Sequence, residues 1–174
     1  MANLAGKKVL FFVDEAYEEL ELWYPKIRLE EEGATTVVAG AEGKSYKGKN
    51  GYPCRPDISF DKIEARQFDA VVIPGGFAPD KLRRHNKVLE ITRDLFAAHK
   101  PVAFICHAGW VPISAKILKG KNVTGVSAIR DDLENAGATY HDRSVVIDGN
   151  LISSRTPKDL PDFCRAIIDV LQKA

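Results

Sequence analysis

The feature that most constrains this chain is an alternation. Short apolar runs, "KKVLFFV", "ATTVVAG", "FDAVVIPGG" and "KPVAFIC", recur along it, and most are separated by segments of helical period. Such runs, bounded by glycine and proline, read as strands buried on both faces. Strands alternating with helices imply a parallel sheet covered on both sides, an α/β sandwich. A helix is expected from Tyr17 to Gly33, with Leu20, Trp23, Ile27 and Glu31 on one face, Tyr24 beside them and Gly33 as the stop. "SYKGKNGYPCRPDISF" reads as a hairpin or an irregular β excursion. A further helix is expected from about Asn86 to His99, and another over "GWVPISAKILKG", with Pro112 in its first turn. "NVTGV" is short and β-like, "AIRDDLENAG" is helical and closed by Gly137, and "SVVIDGNLISS" is a hairpin turning at Asp148-Gly149. The last helix starts at Thr156-Pro157 or at Pro161, with Leu160, Phe163, Cys164, Ile167, Ile168 and Leu171 on its apolar stripe. With no repeat, linker or low-complexity segment, residues 1–174 are expected to form one domain.

A chain of 174 residues can bury a substantial core. Its net charge is +1, with basic residues scattered among acidic ones, so no bulk attraction to nucleic acid or a membrane is expected. No apolar stretch is long enough to span a bilayer, and the opening "MANLAGKKVLFFVDEAY" reads as a first strand rather than a signal peptide. Cys54, Cys106 and Cys164 are widely spaced and form no CxxC, which argues against a disulfide framework or a zinc site. Free thiols suit a reducing, cytoplasmic setting. His85, His99 and His141 stand isolated in polar surroundings, without metal-ligand spacing. No metal and no cofactor is expected.

In a sheet of this kind ligands sit at the carboxyl ends of the strands. Three strand ends here carry unusual residues: "VDEAYEELE", "PGGFAPD" and "CHAG". A strand-to-helix turn on a cysteine exposes the thiol and aims helix amides at it. The partial positive charge there favours a thiolate, and the same amides could receive an oxyanion. Gly75 and Gly76 add backbone donors that a ligand can approach closely. Taken alone, Cys106 also reads as a small buried residue at a strand end. The following His107, Ala108 and Gly109 argue for the reactive reading. Cys164 falls on an apolar stripe and Cys54 in a Gly/Pro-rich stretch, so both read as structural. "PGG" is no phosphate loop, since neither GxxxxGK[ST] nor GxGxxG is present.

In their order, "DEAYEELE", "VVIPGGFAPDKLR", "PVAFICHAG", "DDLENAGA" and "VVIDGNLISSRTPKDLPDF" resemble the ThiJ/PfpI superfamily, within it the PfpI-like intracellular protease/deglycase branch, over residues 7–172. The resemblance implies a flavodoxin-like three-layer sandwich with a mostly parallel central sheet and a nucleophile elbow. Its reactive cysteine maps onto Cys106 and the adjacent histidine onto His107. It also implies an acid that hydrogen-bonds the thiol, either Glu18 or Glu21: spacing to Pro25 favours Glu21, and the "DEAYEE" register keeps Glu18. A protonated glutamate beside a thiolate makes physical sense, because two negative groups cannot both ionise cheaply at close range. An acid after the paired glycines, here Asp80, would complete a triad across a subunit interface, which implies a homo-oligomer, a dimer or a hexamer. Ala108 keeps the turn small, Trp110 adds an apolar wall and Arg155 maps to the pocket rim. Val126 stands where some relatives carry a tyrosine.

The resemblance implies a cofactor-free thiol enzyme acting on reactive carbonyls, a glyoxalase/deglycase-type conversion of methylglyoxal or its adducts. The alternatives are a cysteine peptidase or amidase using Cys106, His107 and Asp80, and a redox-sensing stress protein or chaperone working through Cys106 oxidation. The expected partner is therefore a small aldehyde or a peptide.

Overall fold

The computed structural model describes residues 3–174. The four apolar runs become β1 (Lys8–Phe12), β2 (Thr35–Gly40), β6 (Ala70–Ile73) and β7 (Val102–Ile105). With β5 (Ile58–Ser59), β10 (Val145–Asp148) and β11 (Leu151–Ser154) they form a seven-stranded sheet ordered β10-β11-β7-β6-β1-β2-β5. Every pairing is parallel except β10 with β11, the hairpin expected at Asp148-Gly149. The residues of β6, β7 and β11 are all buried, as a sheet covered on both faces requires.

The covering helices are α1 (Glu19–Glu31) and α6 (Leu160–Lys173), which pack on each other, and α3 (Asn86–Ala97) with the short α2 (Ala78–Leu82) and α4 (Trp110–Ser114). The result is the three-layer, mostly parallel α/β sandwich that the resemblance implies. The glycine-rich excursion is a hairpin of β3 (Tyr46–Lys47) and β4 (Pro53–Cys54). A second small pair, β8 (Asn122–Val123) and β9 (Thr139–Tyr140), flanks α5 (Arg130–Asn135), and Gly137 ends that helix at φ +88°.

Three expectations are corrected. The face of α1 that carries Leu20 and Ile27 points outward, with Leu20 56% and Ile27 60% exposed. Leu22, Pro25 and Leu29 are buried instead, together with Glu21. Both faces of this helix carry apolar residues, and the inward one is interrupted by a carboxylate, so periodicity selects the wrong stripe. The helix expected over "GWVPISAKILKG" is short: a 3₁₀ turn over Cys106–Gly109 leads into α4, which ends before Lys116 turns left-handed at φ 62°. The tail combines both expected starts, with a 3₁₀ turn over Pro157–Asp159 preceding α6 and Pro161 in that helix's first turn.

Candidate active site

The carboxyl ends of β1, β6 and β7 are adjacent in the sheet, so the three unusual loops converge. Cys106 follows β7 directly and takes φ +61°, a left-handed conformation that costs a non-glycine residue energy and persists where the surroundings hold it. The thiol is half-buried. The backbone amides of Gly76 and His107 lie towards its sulfur and favour its ionised form. Gly76 can do so because it takes φ +78° and lies against the backbone of residues 16–18: an added Cβ would stand 2.5 Å from Glu18 N and 2.6 Å from Ala16 O.

The acid beside the thiol is Glu21. Its carboxyl is fully buried, its Oε2 accepts the Gly75 N–H at 2.7 Å, and both that oxygen and the Cys106 Cβ crowd the space where a Gly75 side chain would go. Glu21 Oε1 is buried with no hydrogen-bond partner. Burial pushes Glu21 up to about 8, against the pull of the Gly75 amide and with the Glu18 carboxylate adding to the rise. Burial, and then Glu21, push the Cys106 thiol up to about 12, against the two amides. The turn's amides favour a thiolate, as expected, while burial and the neighbouring acid act in the opposite direction. Burial thus pushes both groups of the pair towards their neutral forms. Gly75 is corrected in role, since its amide is engaged by Glu21 and does not face a ligand.

His107 Nδ1 lies 3.4 Å from Cys106 Sγ, so the two neighbours meet within one chain. Burial, and then the positive charge of Lys49, hold the imidazole below its ordinary value, which leaves it neutral and able to accept a proton. Its ring packs on Trp110, whose Nε1 donates to Asp132 Oδ2 at 2.9 Å. Ala108 is fully buried in the turn. Asp80 does not meet His107 within the chain: its Oδ2 accepts from Arg84 Nη2 at 2.6 Å on α2's exposed side. Arg155 donates to Asp142 and Asp159, tying the end of β11 to the turn before α6, and lines a shallow hollow with Gly125 and Val126 behind the elbow. A larger hollow lies at the ends of β2 and β5, lined by Lys44, Arg55 and Ser59, away from the thiol.

Glu18 is also buried, but its carboxylate is paired with Lys49, which the β3–β4 hairpin brings in. Sequence reasoning missed Lys49. It lies in a stretch read only as a hairpin, and nothing local to "KGKNG" marks one of its lysines as facing a site some 30 residues upstream. Among the described residues no three His, Cys, Asp or Glu side chains cluster as a metal site requires.

Fold and site together define a class: a flavodoxin-like sandwich with a cysteine on a strained strand-to-helix turn against a buried acid. Residues 7–170 match the DJ-1/PfpI family, and the chain belongs to that family. It is 44% identical to "Deglycase PfpI" of Pyrococcus furiosus, over 95% of this chain and 99% of that protein. It is 40% identical to "Putative cysteine protease YraA" of Bacillus subtilis, over 96% and 99%. Among solved structures, a two-domain protein from Anabaena variabilis with DJ-1/ThiJ/PfpI-like and ferritin-like domains superposes with a TM-score of 0.93 at 42% identity, over 95% of this chain and 48% of that one.

Proposed function

We propose that this chain is a thiol-dependent enzyme acting on small reactive carbonyls, a glyoxalase- or deglycase-type conversion of methylglyoxal or its adducts. The observation that carries the reading is the Cys106–Glu21 pair, a nucleophile beside an acid that burial holds protonated at neutral pH. The deglycase named among its relatives supports the same class. In this reading Cys106 Sγ attacks the aldehyde carbon, and the carbonyl electron pair moves onto oxygen. His107 Nδ1 takes the thiol proton, and the amides of Gly76 and His107 face the developing oxyanion. Glu21 supplies a proton to that oxygen, giving the hemithioacetal. The hydrogen on the former aldehyde carbon then leaves as a proton and one is returned to the neighbouring carbon. The first carbon is oxidised and the second reduced, without an external oxidant. Water cleaves the resulting thioester to the hydroxy acid and restores the thiol.

The test is methylglyoxal consumption with lactate detection. Cys106→Ser should lower turnover by at least about 10²-fold with the fold intact by circular dichroism. Equal turnover in the variant would remove Cys106 from the reaction. The Sγ–Nδ1 approach of 3.4 Å also favours a second reading, a cysteine peptidase or amidase. That reading needs an acid for His107, and Asp80 of a neighbouring copy in a homo-oligomer is the candidate. Cleavage of a fluorogenic peptide that is lost in Asp80→Asn while lactate formation persists would separate the two.

A further inference from the structure

Glu18 and Lys49 have no part in the steps above, yet both stand at the thiol's edge. The backbone of Glu18 is held there, its N–H donating to Gly75 O at 3.1 Å. Lys49 arrives on a hairpin that is fastened at several points. Lys49 N–H donates to Tyr17 O at 2.9 Å, Ala16 N–H donates to Lys47 O at 2.8 Å, and Glu19 Oε1 accepts the Asn50 N–H at 2.7 Å. So placed, Lys49 Nζ pairs with the Glu18 carboxylate. Around Cys106 stand Glu21 from α1 and His107 from its own turn, and on the far side of the Gly75 peptide that Glu21 holds stand Glu18 from the loop before α1 and Lys49 from the hairpin. Three are acids, counting the thiol, and the histidine is held neutral. Lys49 is the cation whose charge reaches Glu21, Cys106 and His107 alike.

We propose that the Glu18–Lys49 ion pair is a positioning pair that sets the charge balance around Cys106 and thereby the reactivity of its thiol, without touching the substrate. The proposal rests on Cys106 being the nucleophile. Its consequence is a pair of opposite signs. Removing the cation leaves an unpaired carboxylate near the thiol and disfavours the thiolate. Removing the carboxylate leaves an unneutralised ammonium and favours it.

The experiment is alkylation by iodoacetamide, an uncharged probe that requires no turnover, followed at Cys106 by peptide mass from pH 6 to 10. Read at pH 9, Lys49→Met should react about tenfold more slowly than wild type, a shift of about one pH unit. Glu18→Gln should react faster by a similar factor. Lys49→Arg should stay near wild type, and the double variant Lys49→Met/Glu18→Gln should return towards it. Circular dichroism and a urea titration check that each variant folds. Both single variants moving in one direction, or Arg failing as Met does, would mean the pair merely braces the hairpin and would overturn the proposal. An unchanged profile in both would overturn it too. A wild-type thiol left wholly unmodified even at pH 10, where the thiols of the unfolded chain react fully, would instead count against Cys106 as the nucleophile.

Discussion

Gly76 concentrates more constraint than any other single position at the site. It takes φ +78°, its amide lies towards the thiol, and the space where a Cβ would go is occupied by backbone atoms of residues 16–18, which cannot swing aside. Gly76→Ala should therefore cost about 2–4 kcal/mol, from left-handed strain and overpacking together. It should also lower turnover by moving an oxyanion donor. Gly149 provides the control. It takes φ +60° in the β10–β11 turn with nothing within 4 Å of an added Cβ, so Gly149→Ala should cost only about 1 kcal/mol, with turnover unchanged. Urea unfolding and lactate formation read the two effects. Equal losses of stability at both positions would show that the packing against residues 16–18 adds nothing to the strain.

At the scale of elements, α1 carries two assignments on one helix. Its inward face braces the sheet through Leu22 and Leu29 and also delivers Glu21 to the thiol, while Leu20 and Ile27 lie outward. Leu22→Ala should cost about 2–5 kcal/mol, and Ile27→Ala should stay within about 0.5 kcal/mol in the isolated chain, both measured by chemical denaturation. This helix also marks where the sequence was legible. The strands were readable because runs such as Val71–Ile73 and Val102–Ile105 are apolar throughout, and burial on both faces leaves no ambiguity of face. Cys106 and His107 were readable because they sit at a strand end that the α/β rule brings to the site, whereas the acid came from the family resemblance and stayed open between Glu18 and Glu21. The inward face of α1 was not readable, because a buried carboxylate looks like a surface residue to any hydrophobic pattern. Lys49 was not, because its place depends on long-range bonds from Tyr17 and Glu19 to the hairpin. The push of burial on Cys106 towards its neutral form was not either, since desolvation is a property of the packed loops and not of the turn's sequence.

For the whole molecule, the site has a thermodynamic consequence that runs against folding. Glu21 keeps its proton in the native protein up to about pH 8, whereas an exposed glutamate loses it near 4.5. Between those values the native state holds more protons than the unfolded chain, so the stability tied to this group is fully present below about pH 4.5. It declines as pH rises and is lost by about pH 8. Cys106 adds little within this window, because its thiol stays protonated when folded and begins to ionise in the unfolded chain only towards the upper end. Glutamine resembles the protonated acid in shape and can still accept the Gly75 amide, but it has no proton to lose. Glu21→Gln should therefore match wild-type stability near pH 4.5 and exceed it progressively towards pH 8, by about 4 kcal/mol at the upper end. Urea unfolding of both proteins at half-unit steps from pH 4.5 to 8.5 measures the difference directly, and titrating groups remote from Glu21 cancel in the comparison. A difference that stays flat across the range would mean that Glu21 is ionised in the folded protein and that the acid facing Cys106 is not held neutral. A rising difference, together with slower lactate formation in the variant, would show that the chain gives up stability at neutral pH to keep a proton beside its nucleophile.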